Sequence, residues 1–233
     1  MGFGRLWKRL KDWDKRARDQ YSHDILDPAQ RLQSRKYTRW IDHEILRVHW
    51  HNFAEIAPGV FRSNHPTHLR LQDGANRGFK TILNLRGATK HAPYRFEVES
   101  CEQLGLRLVD IPLSARTAPP KDRLLELVDL LPTLEKPFLM HCKSGADRTG
   151  LVAAVYLLTI EGRPVEEAKK QLSFRFMHLT FTKTGILDYV IWRYEQRLKD
   201  GAIGFREWVV MEYEPADMAA GFARMGFWDR VRM

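Results

Sequence analysis

At 233 residues, 44% of them apolar, the chain can bury one sizeable core with extensions, which excludes a disordered or low-complexity polypeptide. Two cysteines exclude a disulfide framework and point to a reducing compartment, and no apolar run reaches membrane-spanning length. The net charge of +9, with twelve Lys/Arg against seven Asp/Glu in residues 1–50, suits anionic partners; no nucleic-acid-binding module is recognisable, so phosphorylated substrates and acidic lipid surfaces remain.

In chain order, residues 3–21 place Phe3, Leu6, Trp7, Leu10, Ala17 and Tyr21 on one stripe at helical spacing, with seven Lys/Arg on the rest. This predicts a basic amphipathic helix, docked either on an anionic membrane surface or on a protein surface. No hydrophobic signal core precedes it, so the expected location is cytoplasmic, with peripheral membrane association as the variant. Asp27-Pro28 predicts the start of a second helix over 28–47, completing a helical extension over 1–49.

A central domain is expected over 50–200. Phe53–Ile56 and Val60–Ser63 read as strands about an Ala57-Pro58-Gly59 turn. A helix opens at Asn64-His65-Pro66 and ends near Arg77-Gly78. Then come a strand over Lys80–Leu85, a helix over Tyr94–Leu104, a strand over Arg107–Ile111, a helix from Pro119-Pro120 through Leu130, and a strand over Pro137–Met140. Strands alternating with helices predict an α/β fold with a mostly parallel sheet of about four or five strands flanked by helices. Helices are also expected over Val165–Leu172 and 183–199. The tail over 201–233 carries Phe205, Trp208, Phe222, Phe227 and Trp228 and is open to either core packing or a membrane contact.

The organising stretch is Met140–Gly150. An apolar strand leads in, the apolar run Leu151–Leu158 leads out as a helix, and the loop between begins with Cys142 and closes with Arg148. Such a loop turns its N–H groups toward one spot beside the positive end of the helix dipole, a seat for a phosphate. Lys143, Ser144, Gly145, Ala146 and Asp147 are expected to supply those amides, with Gly145 letting the backbone bend and approach a ligand. Arg148 adds a two-pronged donor matched to phosphate oxygens. The same positive field favours a thiolate at Cys142, so the predicted chemistry is attack of sulfur on phosphorus. Thr149 is placed to hydrogen-bond that thiolate or to cap the helix, and His141 to orient the loop. Cys101 and Arg107 share the same spacing, but that segment runs from helix into strand, and Cys101 reads as a core residue.

His141-Cys142, five residues, then Arg148-Thr149-Gly150 resembles the signature of the protein-tyrosine and dual-specificity phosphatase superfamily. The pattern NFAEI, PGVFRS and KTILNLR between Asn52 and Arg86 resembles the opening of bacterial dual-specificity-like phosphatases. The resemblance covers roughly 52–173. It implies a protein-tyrosine-phosphatase-like fold and a phosphocysteine intermediate, with no cofactor and no metal. It also implies a general acid, ordinarily an aspartate about 30 residues before the cysteine. Here the corresponding loop, Ser114–Ala118, has no carboxylate. Asp147, just before the arginine, resembles the acid of bacterial tyrosine/lipid phosphatases and of myotubularin and Sac-type enzymes; Asp110 and Asp122 are the alternatives. Arg86, Arg116, Arg175 and His178 are candidates for the pocket rim. Lys143 resembles lipid-directed members such as the phosphatase and tensin homologue. The expected substrate is therefore a lipid or sugar phosphate at a membrane surface, with phosphotyrosine protein as the alternative. Outside this class stand a rhodanese-type sulfurtransferase and a phosphate-binding pseudo-enzyme.

Overall fold

A computed structural model describes Arg16 and residues 25–233. The predicted helix over 3–21 lies outside the described residues except for Arg16, which is helical and exposed. The chain forms two compact units, one of 1–51, 66–77 and 88–107, the other of 52–65, 78–87 and 108–233.

The fold is the expected α/β type. Five strands, β1 (Ala54–Ala57), β2 (Val60–Ser63), β3 (Thr81–Asn84), β4 (Arg107–Asp110) and β5 (Phe138–His141), form one sheet in the order β1-β2-β5-β3-β4. β1 and β2 pair antiparallel around Gly59, whose φ of +73° is open to glycine at little cost. β5 lies parallel to both neighbours, with Phe138 beside Val60 and Thr81, and His141 beside Ser63 and Asn84. Every residue of β3 and β5 is buried, as suits the apolar Ile82-Leu83 and Phe138–Met140 at their centres. The carboxyl end of β5 therefore opens in mid-sheet, where α/β sheets bind ligands.

In the second unit, α5 (Lys121–Leu130) precedes β5 and α6 (Asp147–Thr159) follows the loop. α6 is buried continuously from Thr149 to Leu157 because it is apolar on all sides. It packs on β1, β2 and β5, on α5, on α7 (Val165–Ala168), on α8 (Ile186–Leu198) and on α9 (Phe205–Met211). The tail packs into this core. Phe205 and Trp208 lie 5.1 and 5.4 Å from the Tyr194 ring, and Tyr213 donates to the Pro119 carbonyl at 2.7 Å. Phe222 of α10 (Pro215–Arg224) is buried, whereas Phe227 and Trp228 of α11 (Phe227–Val231) are exposed.

The first unit holds α1 (Pro28–Lys36), α2 (Glu44–His49), α3 (His68–Asn76) and α4 (Ala92–Leu104). Ile25, Ala92 and Phe96 form its small core, and Arg31 pairs with Glu99 at 2.9 Å. The single helix expected over 28–47 is broken. After α1 a wide turn runs over Tyr37–Ile41, and His43 takes a left-handed φ of 64°. Buried Asp42 and Arg47 pair at 2.9 Å, a contact that a straight helix, with residues five apart on opposite sides, cannot make.

Two other boundaries differ for reasons that concern the loop. The helix expected from Asn64 begins at His68 with Thr67 as its cap, and the segment before it is tied to the loop by the His65 N–H on the Lys143 carbonyl at 3.3 Å. The helix expected over Val165–Leu172 stops at Ala168 and tightens into a short turn over Lys169–Gln171, where Arg62 takes both the carbonyl and side-chain oxygens of Gln171. Likewise 183–185 is a tight turn, and α8 starts at Ile186.

Candidate active site

Cys142 follows His141, the last residue of β5, and Asp147 begins α6, so residues 142–146 turn the chain from strand to helix. Four consecutive carbonyls of this turn are taken, the first three by groups from other segments and the last by the first turn of α6. Lys143 O accepts from the His65 N–H, Ser144 O from Asn52 Nδ2 (3.1 Å), Gly145 O from Arg62 Nη2 (2.7 Å), and Ala146 O from the Gly150 N–H (3.0 Å). In a trans peptide the following N–H points opposite to the carbonyl. The amides of Ser144, Gly145, Ala146 and Asp147 are therefore turned to the inner side, and the Gly145 N–H donates to Cys142 Sγ at 3.3 Å. The Ala146 N–H also meets Ser144 Oγ at 3.3 Å.

Gly145 has φ +73°, as the bend requires, but what crowds it differs from expectation. A Cβ there would stand 2.6 Å from the backbone of Ser63 and Asn64, so the close approach is to the end of β2, a part of the protein rather than a ligand.

Cys142 is 1% exposed. Burial alone would push its thiol up. The Arg148 guanidinium and the hydroxyl and N–H of Thr149 pull it down, against a small opposing push from Asp147, and the net result lies below the ordinary thiol value. Thr149 is fully buried in the first turn of α6, and its hydroxyl has no other partner among the described residues. Arg148 spends one donor on the Leu85 carbonyl at 3.4 Å and keeps a buried Nε–H that meets no partner among the described residues, so its fork is available to an oxyanion. Lys143 is half-buried, and His141 is buried with Nδ1 3.4 Å from the Cys142 carbonyl.

Of the three candidate acids, Asp147 is at the first position of α6, directly beside Arg148. Its Oδ1 accepts from His178 Nδ1 at 2.7 Å, and His178 Nε2 donates to Asp188 Oδ2 at 2.5 Å. His178 is therefore not a rim residue: its side chain is wholly buried between two carboxylates. Burial disfavours the imidazolium, but the hydrogen bonds to Asp147 and Asp188 outweigh it and raise His178 to about 9. Burial also raises the Asp188 carboxyl, against the pull of His178. Asp110 lies on β4, where it accepts from Asn84 Nδ2 at 2.7 Å, and Asp122 lies in the first turn of α5. Arg116 and Arg175 are exposed and Arg86 is half-buried.

Asn52, Arg62, Asp188 and the placement of His178 escape sequence reasoning. The one available signal was Arg62, a charge following the apolar Val60-Phe61 of a strand, where a buried arginine must have found acceptors.

The model of the family described as "DSP-PTPase phosphatase fused to NAD+ Kinase" matches residues 55–185. Among curated relatives, inositol diphosphatase DSP2 of Oryza sativa subsp. japonica is 31% identical over 121 residues, covering 48% of this chain and 56% of that protein. Inositol diphosphatase DSP3 of Arabidopsis thaliana is 30% identical over 107 residues, covering 42% and 50%. The chain thus spans about half the length of the curated relatives it matches. Among solved structures, the core catalytic domain of the PP-IP phosphatase SIW14 from S. cerevisiae aligns at a TM-score of 0.48 with 17% identity, over 64% of this chain and 91% of that one. With the family model spanning more than half of its length, around the Cys142–Arg148 loop, the chain belongs to the dual-specificity and protein-tyrosine phosphatase family.

Proposed function

We propose that the chain is a cysteine-dependent phosphomonoester phosphatase. The observation that carries this reading is the placement of Cys142: its buried sulfur accepts the Gly145 N–H at 3.3 Å, and Arg148 and Thr149 draw its thiol below the ordinary value. The Cys142 thiolate attacks phosphorus; an S–P bond forms and the ester P–O bond breaks. The departing oxygen takes a proton from Oδ2 of Asp147, whose resulting carboxylate is stabilised by the imidazolium of His178. Water then attacks phosphorus, giving its proton to Asp147. The S–P bond breaks, and inorganic phosphate and the thiolate are released. Arg148 and the amides of 144–147 bind the transferring group's oxygens throughout.

The substrate in this reading is a polyphosphorylated polyol, free or carried on a lipid. Support comes from Lys143 beside the nucleophile and from relatives that are named inositol diphosphatases. A lipid-bound form is favoured by one further observation. Leu32, Trp40 and Leu46 stand exposed in the first unit, interleaved with Arg35, Lys36 and Arg39, a composition that suits an anionic bilayer.

The test is phosphate release from p-nitrophenyl phosphate, inositol diphosphates, phosphoinositide vesicles and phosphotyrosine peptides by the reduced protein. Hydrolysis lost in Cys142→Ser, with a polyol phosphate preferred, is expected. An inert wild type ends the phosphatase reading, and a preference for the peptides replaces the substrate. Sulfur transfer from thiosulfate would favour the rhodanese-type alternative.

A further inference from the structure

We infer that Arg62 is the positioning residue of the anion cradle: from behind the loop it holds the Gly145 and Ala146 carbonyls outward and so keeps the amides of Ala146 and Asp147 turned toward Cys142. This rests on the phosphatase reading above.

Arg62 sits on β2, 0% exposed, and is the largest fully buried side chain among the described residues. Its Nη2 donates to Gly145 O at 2.7 Å and reaches Ala146 O at 3.5 Å. Its Nη1 donates to Gln171 O at 2.8 Å and Gln171 Oε1 at 2.7 Å. The ring of Phe176 lies against the guanidinium at 3.6 Å. Every acceptor is neutral, and among the described residues no carboxylate pairs with it. Burying a cation on such terms is expensive, and an apolar side chain would fill the space at less cost. Two features repay the arginine. Its planar fork spans two segments at once, the loop and the Lys169–Gln171 turn, which a lysine cannot do. Its uncancelled charge also lies behind the loop, within the field of the Cys142 thiolate. Asn52 acts in the same way one residue earlier, on Ser144 O.

Arg62→Lys loses the fork, and burial, which already lowers the Arg62 guanidinium to about 9, disfavours an ammonium there as well. It should weaken inhibition by inorganic phosphate by about tenfold and lower kcat more than it raises KM. Arg62→Met loses fork and charge together and should weaken that inhibition at least as much, with the pH midpoint of Cys142 alkylation by iodoacetamide moving upward. Gln171→Ala, which removes one acceptor at a half-buried position, should weaken phosphate inhibition by about threefold, and it decides the matter if the Arg62 variants fail to fold. Phosphate inhibition and alkylation matching a working wild type in the folded Arg62 variants, or unchanged inhibition in Gln171→Ala, overturns the inference and leaves the phosphatase reading standing. A wild type that neither binds phosphate nor hydrolyses esters brings down that reading instead.

Discussion

Two segments of this chain place an arginine six residues after a cysteine, and they are built in opposite directions. Cys142–Arg148 runs from strand to helix; Cys101–Arg107 runs from the last turn of α4 into β4. In the second segment the amides are already used: the Gly105 N–H bonds the Glu102 carbonyl and the Leu106 N–H bonds the Cys101 carbonyl, closing the carboxyl end of α4. A helix carboxyl end presents carbonyls and a negative dipole, the wrong field for either thiolate or phosphate. In the first segment the carbonyls are taken, three of them by other segments, and the amides are left facing in. Equal spacing thus yields opposite electrostatics, because the direction of the chain decides which half of each peptide is spent.

The largest expected difference is in turnover. Cys142→Ser should lower p-nitrophenyl phosphate hydrolysis by at least about 10³-fold, whereas Cys101→Ser should stay within about twofold when assayed on folded protein. Comparable losses from the two would erase the contrast. Next, Asp147→Asn should slow an alkyl phosphate by about 10²-fold and p-nitrophenyl phosphate far less, since only the poor leaving group needs the proton; an equal loss on both substrates removes Asp147 as the acid.

A third test concerns the charge built into one segment only. Folding raises His178 from 6.5 to about 9, so its stabilising contribution is complete below pH 6.5 and is lost as pH rises through about 9. Asp188, also raised, changes in the same sense. Denaturant unfolding should show wild-type stability declining across that interval by up to about 3 kcal/mol, and a flatter profile in His178→Gln. Parallel profiles would refute the Asp147–His178–Asp188 chain. The smallest effect separates the two left-handed glycines. Gly105→Ala, with φ +66° and open space around the new methyl, should cost about 1 kcal/mol; Gly145→Ala, driven into the Ser63–Asn64 backbone, should cost about 2–3 kcal/mol. Equal costs would mean that the loop relaxes away from β2.

Most strands and the helices around the loop were legible because each is a local pattern: the apolar run Phe138–Met140, the turn at Pro58-Gly59, the apolar stretch of α6. The breaks were not. The 28–47 helix fails at His43 because the Asp42–Arg47 pair is buried, and α7 stops because Arg62, more than a hundred residues earlier, claims Gln171. Burial and distant acceptors override helical periodicity, and neither is written in a window of ten residues.

Sequence alone determined the candidate nucleophile, the loop of the proposed anion seat and the family signature, because Cys142 through Gly150 are contiguous and a strand–loop–helix orders its own amides. Tertiary structure decided what stands behind that loop: Arg62 and Asn52 on its carbonyls, β2 against Gly145, His178 and Asp188 on Asp147. These partners lie 31 to 92 residues from the atoms they hold, apart from Asp188, which reaches Asp147 through His178. Only the closed core, by excluding water, forces each buried polar group to find the partner it has.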